Sequence, residues 1–256
     1  MSTTEQQLAA DAWRRADGRP LLLLLDFDGT LAEFQADPAA VYLSPARRAI
    51  LERLRQRSTM GVVSGRRLDD VRRRVSFDDI IVAGLHGLEI AMPGEPGFVH
   101  PDLAGAIDVI TSAGRRLRES TQSLPGVFVE DKGASVALHF READTEHQRK
   151  AIDTFADVTQ PSVERGLVRV MRGSNVLELL PNIDWNKGSA VRWIAERISQ
   201  RSGAPFILYI GDDVTDQDAL DFVEAAGGLA IAASDRVSAA VRVEGPAGVE
   251  RFLSAL

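Results

Sequence analysis

The chain has 256 residues, enough for one large domain or for a core with a smaller second domain. Apolar residues make up 45% and charged residues 26%, and the net charge of -7 offers no basic field to nucleic acid or an anionic membrane. The absence of cysteine excludes disulfides, thiol nucleophiles and thiolate zinc sites, and the four histidines form neither an HxxxH nor an HxH pair.

The first residues, MSTTEQQLAADAWRRADGRP, lack the continuous apolar core of a signal peptide. Residues 1–19 read as an N-terminal extension, and the expected location is the cytoplasm. Leu21–Leu25 is an apolar run far too short to span a bilayer. Similar runs are MGVV before Ser64, IIVAG from Ile80 to Gly84, FILYIG before Asp212 and LAIAA from Leu229 to Ala233. Short runs without polar alternation suit strands buried on both faces, as in a parallel sheet. Helical patterns lie between them. Ser44-Pro45 is an N-cap and first-turn pair ahead of Ile50, Leu51 and Leu54. Leu68, Val71 and Val75 have helical spacing, as do Val191, Ile194 and Ile198. Thr215 with Asp218 reads as a capping box before Leu220 and Val223.

The middle differs. A helix is expected over about 101–120, then strands in VFVEDK, ASVALHF, LVRVM and NVLELL, with a helix-compatible stretch over 142–156. The expected architecture is α/β: a doubly wound, Rossmann-like parallel-sheet core over 20–99 and 182–256, with an inserted α+β domain over 100–181.

The first strand runs into Asp26-Phe27-Asp28-Gly29-Thr30. Carboxylates at i and i+2 point the same way if strand geometry persists. The carboxyl end of a parallel strand faces the crevice where α/β proteins bind ligands. An Asp-Gly turn with incidental acids fits the same residues. After FILYIG come Asp212, Asp213 and Asp216. Clustered carboxylates repel one another, and a hard divalent cation such as Mg²⁺ relieves this; a helix start enriched in Asp for its dipole also fits these residues, with less weight. Only three lysines are present, at 132, 150 and 187. Lys187 in WNKGSAV could neutralise phosphate oxygens and an attacking carboxylate. Ser64 in VVSGR follows another buried strand and could hold a phosphoryl oxygen, although SGR alone reads first as a turn.

DFDGTL, SGR, Lys187 and GDDVTD, in this order on successive strand ends, resemble the haloacid dehalogenase-like superfamily of phosphatases over nearly the whole chain from Leu21. The resemblance implies Asp26 as nucleophile, Asp28 as general acid and then base, and Ser64 and Lys187 as phosphate binders. It implies Mg²⁺ ligands from Asp26, the Asp28 carbonyl and Asp212, supported by Asp213 and Asp216. Electrostatics agrees: a carboxylate attacking a phosphate dianion needs Mg²⁺ and Lys187 to offset the repulsion.

An insert between Ser64 and Lys187 matches the type-2 caps of that superfamily, common in sugar phosphatases. AGLHGLEI, VEDKGASVALHFR and NVLELLP resemble segments of the trehalose-6-phosphate phosphatase family. By that resemblance Glu130, Lys132, Arg141 and Glu178 contact the disaccharide or shape its pocket. Arg66, His86 and Gly87 then lie at the seam of core and cap. From the residues alone, Glu130 and Lys132 fit a cross-strand salt bridge, Glu178 a solvated sheet face, and His86 and His139 structural roles. Gln217 and Leu85 depart from the family pattern.

The expected activity is Mg²⁺-dependent hydrolysis of trehalose 6-phosphate through an aspartyl phosphate. A sucrose-phosphate or mannosyl-phosphoglycerate phosphatase, or a phosphomutase, fits the same core and cap. The expected partner is a small sugar phosphate, with no nucleic acid, no membrane, no attached glycosyltransferase-like domain and a monomeric state. A non-catalytic sensor would be expected to lose the nucleophile or the metal acids, and all are present.

Overall fold

The structure, a computed structural model, describes residues 3–35 and 40–256. They fall into two compact units: residues up to Phe98 together with those from Trp185 onward, and Val99–Asp184.

The first unit is built on an eight-stranded sheet. β1 (Leu21–Leu25) is flanked on one side by β2 (Thr59–Val63), β3 (Ile81–Gly84), β4 (Glu89–Ala91) and β5 (Phe98–Val99). On the other side lie β10 (Phe206–Gly211), β11 (Leu229–Ala232) and β12 (Val241–Arg242). β12, β11, β10, β1, β2 and β3 run parallel, and β4 is antiparallel to β3. The five leucines of β1 explain the layering. Leu21, Leu23 and Leu25 enter one apolar layer and Leu22 and Leu24 the other, all but Leu21 fully buried. Burial of each such side chain stabilises the fold by roughly 1.5–3 kcal/mol. A strand apolar on both faces requires helices on both faces.

One helical layer holds α1 (Thr3–Ala16), α2 (Pro45–Leu54), α3 (Leu68–Val75) and α8 (Gly245–Ala255). The other holds α6 (Lys187–Ser202) and α7 (Gln217–Ala225). The Ser44 hydroxyl caps α2 by accepting from the Arg47 N–H at 3.2 Å, as Ser44-Pro45 suggests. Residues 3–16 are not a loose extension. Ala9, Ala12 and Ala16 make a small-residue stripe that is buried against the core, and the Trp13 indole donates to the Leu256 carbonyl at 3.0 Å. The polar composition of this segment conceals the stripe, because alanine carries little apolar signal.

The second unit is a four-stranded antiparallel sheet in the order β6 (Phe128–Asp131), β7 (Val136–His139), β9 (Val176–Pro181), β8 (Val168–Gly173). α4 (Leu103–Thr121) and α5 (Thr145–Glu164) cover one face, where Leu117, Phe155, Val136, Leu138 and Leu179 pack. The register aligns Glu130, Ala137 and Glu178 across three strands on the face opposite that core. Among the described residues no helix is long and apolar enough to cross a membrane.

Ala12→Leu overpacks the α1 contact and is expected to cost about 1–3 kcal/mol in a denaturant titration. A dispensable N-terminal extension would leave the midpoint unchanged.

Candidate active site

β1 and β10 are adjacent although most of the chain separates them, and this is the topological switch point of the sheet. Their register pairs Leu25 with Ile210, and the Asp26 N–H donates to the Ile210 carbonyl at 2.9 Å. The two acidic segments therefore leave the sheet side by side. Beyond Asp26 the chain turns tightly: Leu31 and Ala32 donate to the Phe27 carbonyl, and Gly29 donates to the Ala32 carbonyl at 2.7 Å. Gly29 has φ +85°, and a Cβ there would lie 2.4 Å from Asp212 Oδ2. Only glycine lets the turn close on that carboxylate. Thr30 Oγ1 donates to Asp212 Oδ1 at 3.2 Å.

Lys187 opens α6, whose N-cap Asn186 accepts from the Ser189 N–H at 2.9 Å. Its Nζ lies 2.6 Å from Asp26 Oδ1 and 2.7 Å from Asp216 Oδ1, and its side chain is 2% exposed. Asp216 is also fully buried. It accepts from Tyr209 Oη at 2.6 Å and from the N–H groups of Asp212 and Asp213 at 3.1 and 3.0 Å. The capping box at this bend is Asp213 with Asp216 around a 3₁₀ turn, not Thr215 with Asp218. Asp213 is extended at the strand end, so its side chain meets the N–H three residues on.

Burial pushes the Asp26 carboxyl well above the usual range; Lys187 opposes this, and Asp216 and Asp212 add to it. Burial also works against the Lys187 charge, but Asp26 and Asp216 outweigh it and hold the ammonium above the ordinary lysine range. Burial raises Asp212 against the pull of Arg236. Asp26, Asp212 and Asp216 bring carboxylate oxygens within 4.8 Å of one another. Hard oxygen donors, convergent, buried and carrying more charge than Lys187 offsets, fit a hard divalent cation.

Asp28 lies at the same strand end and is gripped by Arg66, whose Nε and Nη2 donate to its two oxygens, each at 2.6 Å. Arg66 also reaches Asp70 at 3.2 Å. Ser64 is buried at the end of β2, and its hydroxyl oxygen accepts from the Arg66 N–H at 3.2 Å. The Ser64 carbonyl accepts from the His86 N–H at 2.9 Å. Leu85, His86 and Gly87 all have positive φ, at 53°, 58° and 92°. A Cβ on Gly87 would lie 2.1 Å from that of Ala190, so this glycine sets the packing of α6, the helix that carries Lys187.

The profile of the trehalose-phosphatase family matches residues 24–244. The chain belongs to that family. It is 38% identical to the trehalose-phosphate phosphatase of Mycobacterium ulcerans and 35% identical to that of Mycobacterium tuberculosis, over 97% of its own length in each case. It spans 65% of the length of either relative. Among solved structures, the trehalose-6-phosphate phosphatase of Aspergillus fumigatus aligns with TM-score 0.65 and 25% identity over 96% of each chain. The C-terminal domain of the Candida albicans trehalose-6-phosphate phosphatase aligns with TM-score 0.73 and 22% identity, over 97% of this chain and 94% of that one. The latter shares the fold.

In this trehalose-phosphatase family member, the second unit gathers Lys132, Ser135 and Glu178. Lys132 Nζ lies 3.2 Å from Glu178 Oε2, and Ser135 Oγ donates to Glu178 Oε1 at 2.5 Å. Glu178 is thus nearly buried under its partners, not on a solvated face. Glu130 pairs with His139 Nε2 at 2.9 Å, and the His139 ring stacks on Phe128 at 4.5 Å. His139 is therefore a partner of Glu130 on the sheet face away from the helices. Arg141 lies at the opposite end of β7 from the Lys132–Ser135 hairpin, exposed, beside the Ser174 carbonyl. Gln217 uses both ends of its amide on Ser238, accepting from its N–H and donating to its carbonyl, each at 2.9 Å; a carboxylate could not do both. Sequence reasoning missed Thr30, Tyr209 and Arg236. Arg236 had one available signal, its place just after the apolar run LAIAA.

Lys187→Met removes the cation between two buried carboxylates and is expected to destabilise the fold by about 3–5 kcal/mol. Chemical denaturation at neutral pH measures it, and a loss under about 1 kcal/mol would contradict the assigned role.

Proposed function

We propose that this chain is a Mg²⁺-dependent phosphatase that hydrolyses trehalose 6-phosphate to trehalose and phosphate. The observation that carries the reading is the buried Lys187 bridge between Asp26 and Asp216, with Asp212 alongside, at the switch point of the sheet. With Oδ1 held by Lys187, Asp26 Oδ2 attacks phosphorus, and the bond from phosphorus to the sugar oxygen breaks. Asp28 gives that oxygen a proton. It then takes one from the water that attacks the aspartyl phosphate, and Asp26 is regenerated. Arg66, whose fork holds both Asp28 oxygens, turns to the substrate phosphate and frees Asp28 for the leaving oxygen. Lys187 and Ser64 hold phosphoryl oxygens. Asp26, the Asp28 carbonyl and Asp212 would hold Mg²⁺, which would supply the charge that lets a carboxylate meet a phosphate dianion. Asp213 supports this set, and Asp216 anchors Lys187.

In this reading Val99–Asp184 is the cap. Glu130, Lys132 and Glu178, on the side of its sheet away from the two helices, read the sugar hydroxyls, since carboxylates accept from them and the ammonium donates to them. His86 and Gly87 act by shaping the loop beside Ser64.

Phosphate release across a panel of trehalose 6-phosphate, sucrose phosphate, mannosyl-phosphoglycerate and glucose 6-phosphate tests the assignment. Only the first is expected to turn over well, and only with Mg²⁺. Asp26→Asn should lower turnover by about 10⁴-fold or more. Release from another ester but none from trehalose 6-phosphate would overturn the substrate, and dependence on a sugar bisphosphate would indicate a mutase. A second expectation concerns pH. Burial raises Asp26 and Asp212, so they retain protons above the ordinary carboxylate range, and a metal must displace them there. The rise in Tm produced by Mg²⁺ should therefore be larger at about pH 8 than at about pH 5.5. Equal rises would contradict the raised carboxyls.

A further inference from the structure

The loop after β11 brings a second cation to the acidic cluster. Arg236 Nη2 bonds Asp212 Oδ2, and Nη1 lies 3.1 Å from Asp213 Oδ1. The two cations differ in how they are held. Lys187 is sealed in, with 2% of its side chain exposed, whereas Arg236 is 45% exposed. The backbone under Arg236 is fixed. Ser234 Oγ donates to the Asp212 carbonyl and accepts from the Arg236 N–H at 3.0 Å, and Val237 is buried. Two residues on, Ser238 is clasped by Gln217. The guanidinium, 5.6 Å from the Phe34 ring centroid, ends a side chain that can swing while its loop stays in place.

We propose that Arg236 is a tethered competitor for the divalent cation: its guanidinium holds Asp212 and must leave that oxygen for the metal to take full possession of the carboxylate. Asp26 and Asp216 are bound to Lys187, which cannot be exchanged without exposing buried charge. Asp212 is bound to a cation that can return to solvent at little cost. The arrangement keeps the protein folded with its carboxylates compensated, and it makes the metal weakly and reversibly held. Arg236 acts through Asp212 and is a positioning residue, not a catalytic one. The proposal rests on the metal-dependent reading of this site.

Calorimetric titration of the whole chain with Mg²⁺ alone, at low ionic strength, tests it through Arg236→Ala. Arg14→Ala on α1 is the control of equal charge change, since Arg14 pairs with Asp11 and not with the cluster. Removing the half-exposed arginine of this pair, a competitor worth about 1 kcal/mol, should tighten Mg²⁺ binding about fivefold in Arg236→Ala. The metal-free variant should melt lower than the unaltered protein and gain more in Tm on adding Mg²⁺. Arg14→Ala should bind as the unaltered protein does. Unchanged or weaker binding in Arg236→Ala would overturn the competition, as would equal tightening in Arg14→Ala, which would reveal only the field of a lost charge. If the unaltered protein binds no Mg²⁺, the metal-dependent reading falls and this inference falls with it. Binding by the unaltered protein without tightening in Arg236→Ala would sink this inference alone.

Discussion

One ammonium group, on Lys187, ties the acidic strand ends of the parallel sheet to one another. It joins Asp26 at the end of β1 to Asp216 beyond β10 and comes from the first residue of α6, so three segments distant in sequence meet at one charge. Ion pairs this deeply buried are poor stabilisers, because the desolvation of each partner consumes most of the attraction. The leucines of β1, the two helical layers and the α1–α8 packing must carry that cost. The result is a site that is rigid where charge must be placed accurately and under electrostatic tension before any substrate arrives.

That tension has a direction. Asp26 and Asp212 sit where burial resists their ionisation, and their anionic neighbours resist it further. A divalent cation and a phosphate dianion are the complementary pair such a site can accept. The surrounding basic groups divide by burial. Lys187 belongs to the permanent structure, while Arg66 and Arg236 hold Asp28 and Asp212 from partly exposed positions. The two arginines thus compensate carboxylates at the strand ends from positions that solvent can reach.

The second unit has a different physical character. Its apolar face is closed by two helices, and its other face carries carboxylates, an ammonium, an imidazole and an exposed Phe128. Polar groups there are paired laterally, Lys132 with Glu178 and His139 with Glu130. Such a face presents donors, acceptors and an aromatic ring in small alternating patches.

Much was legible in the sequence where the code is local. Uninterrupted apolar runs marked the five main strands of the core because double-sided burial permits no polar alternation. Asp26, Asp28, Ser64, Lys187 and the acids after β10 stood out because each follows such a run or opens a helix. The α1 stripe was hidden because alanine is nearly silent in hydropathy. Long-range pairing was equally silent: nothing local ties Lys187 to Asp216, Arg66 to Asp28, or Arg236 to Asp212. The sequence by itself determined which residue types stand at the strand ends, and so the class of chemistry. Only the tertiary structure decided which charge faces which, because partner choice depends on register, burial and the direction of side chains from separate elements.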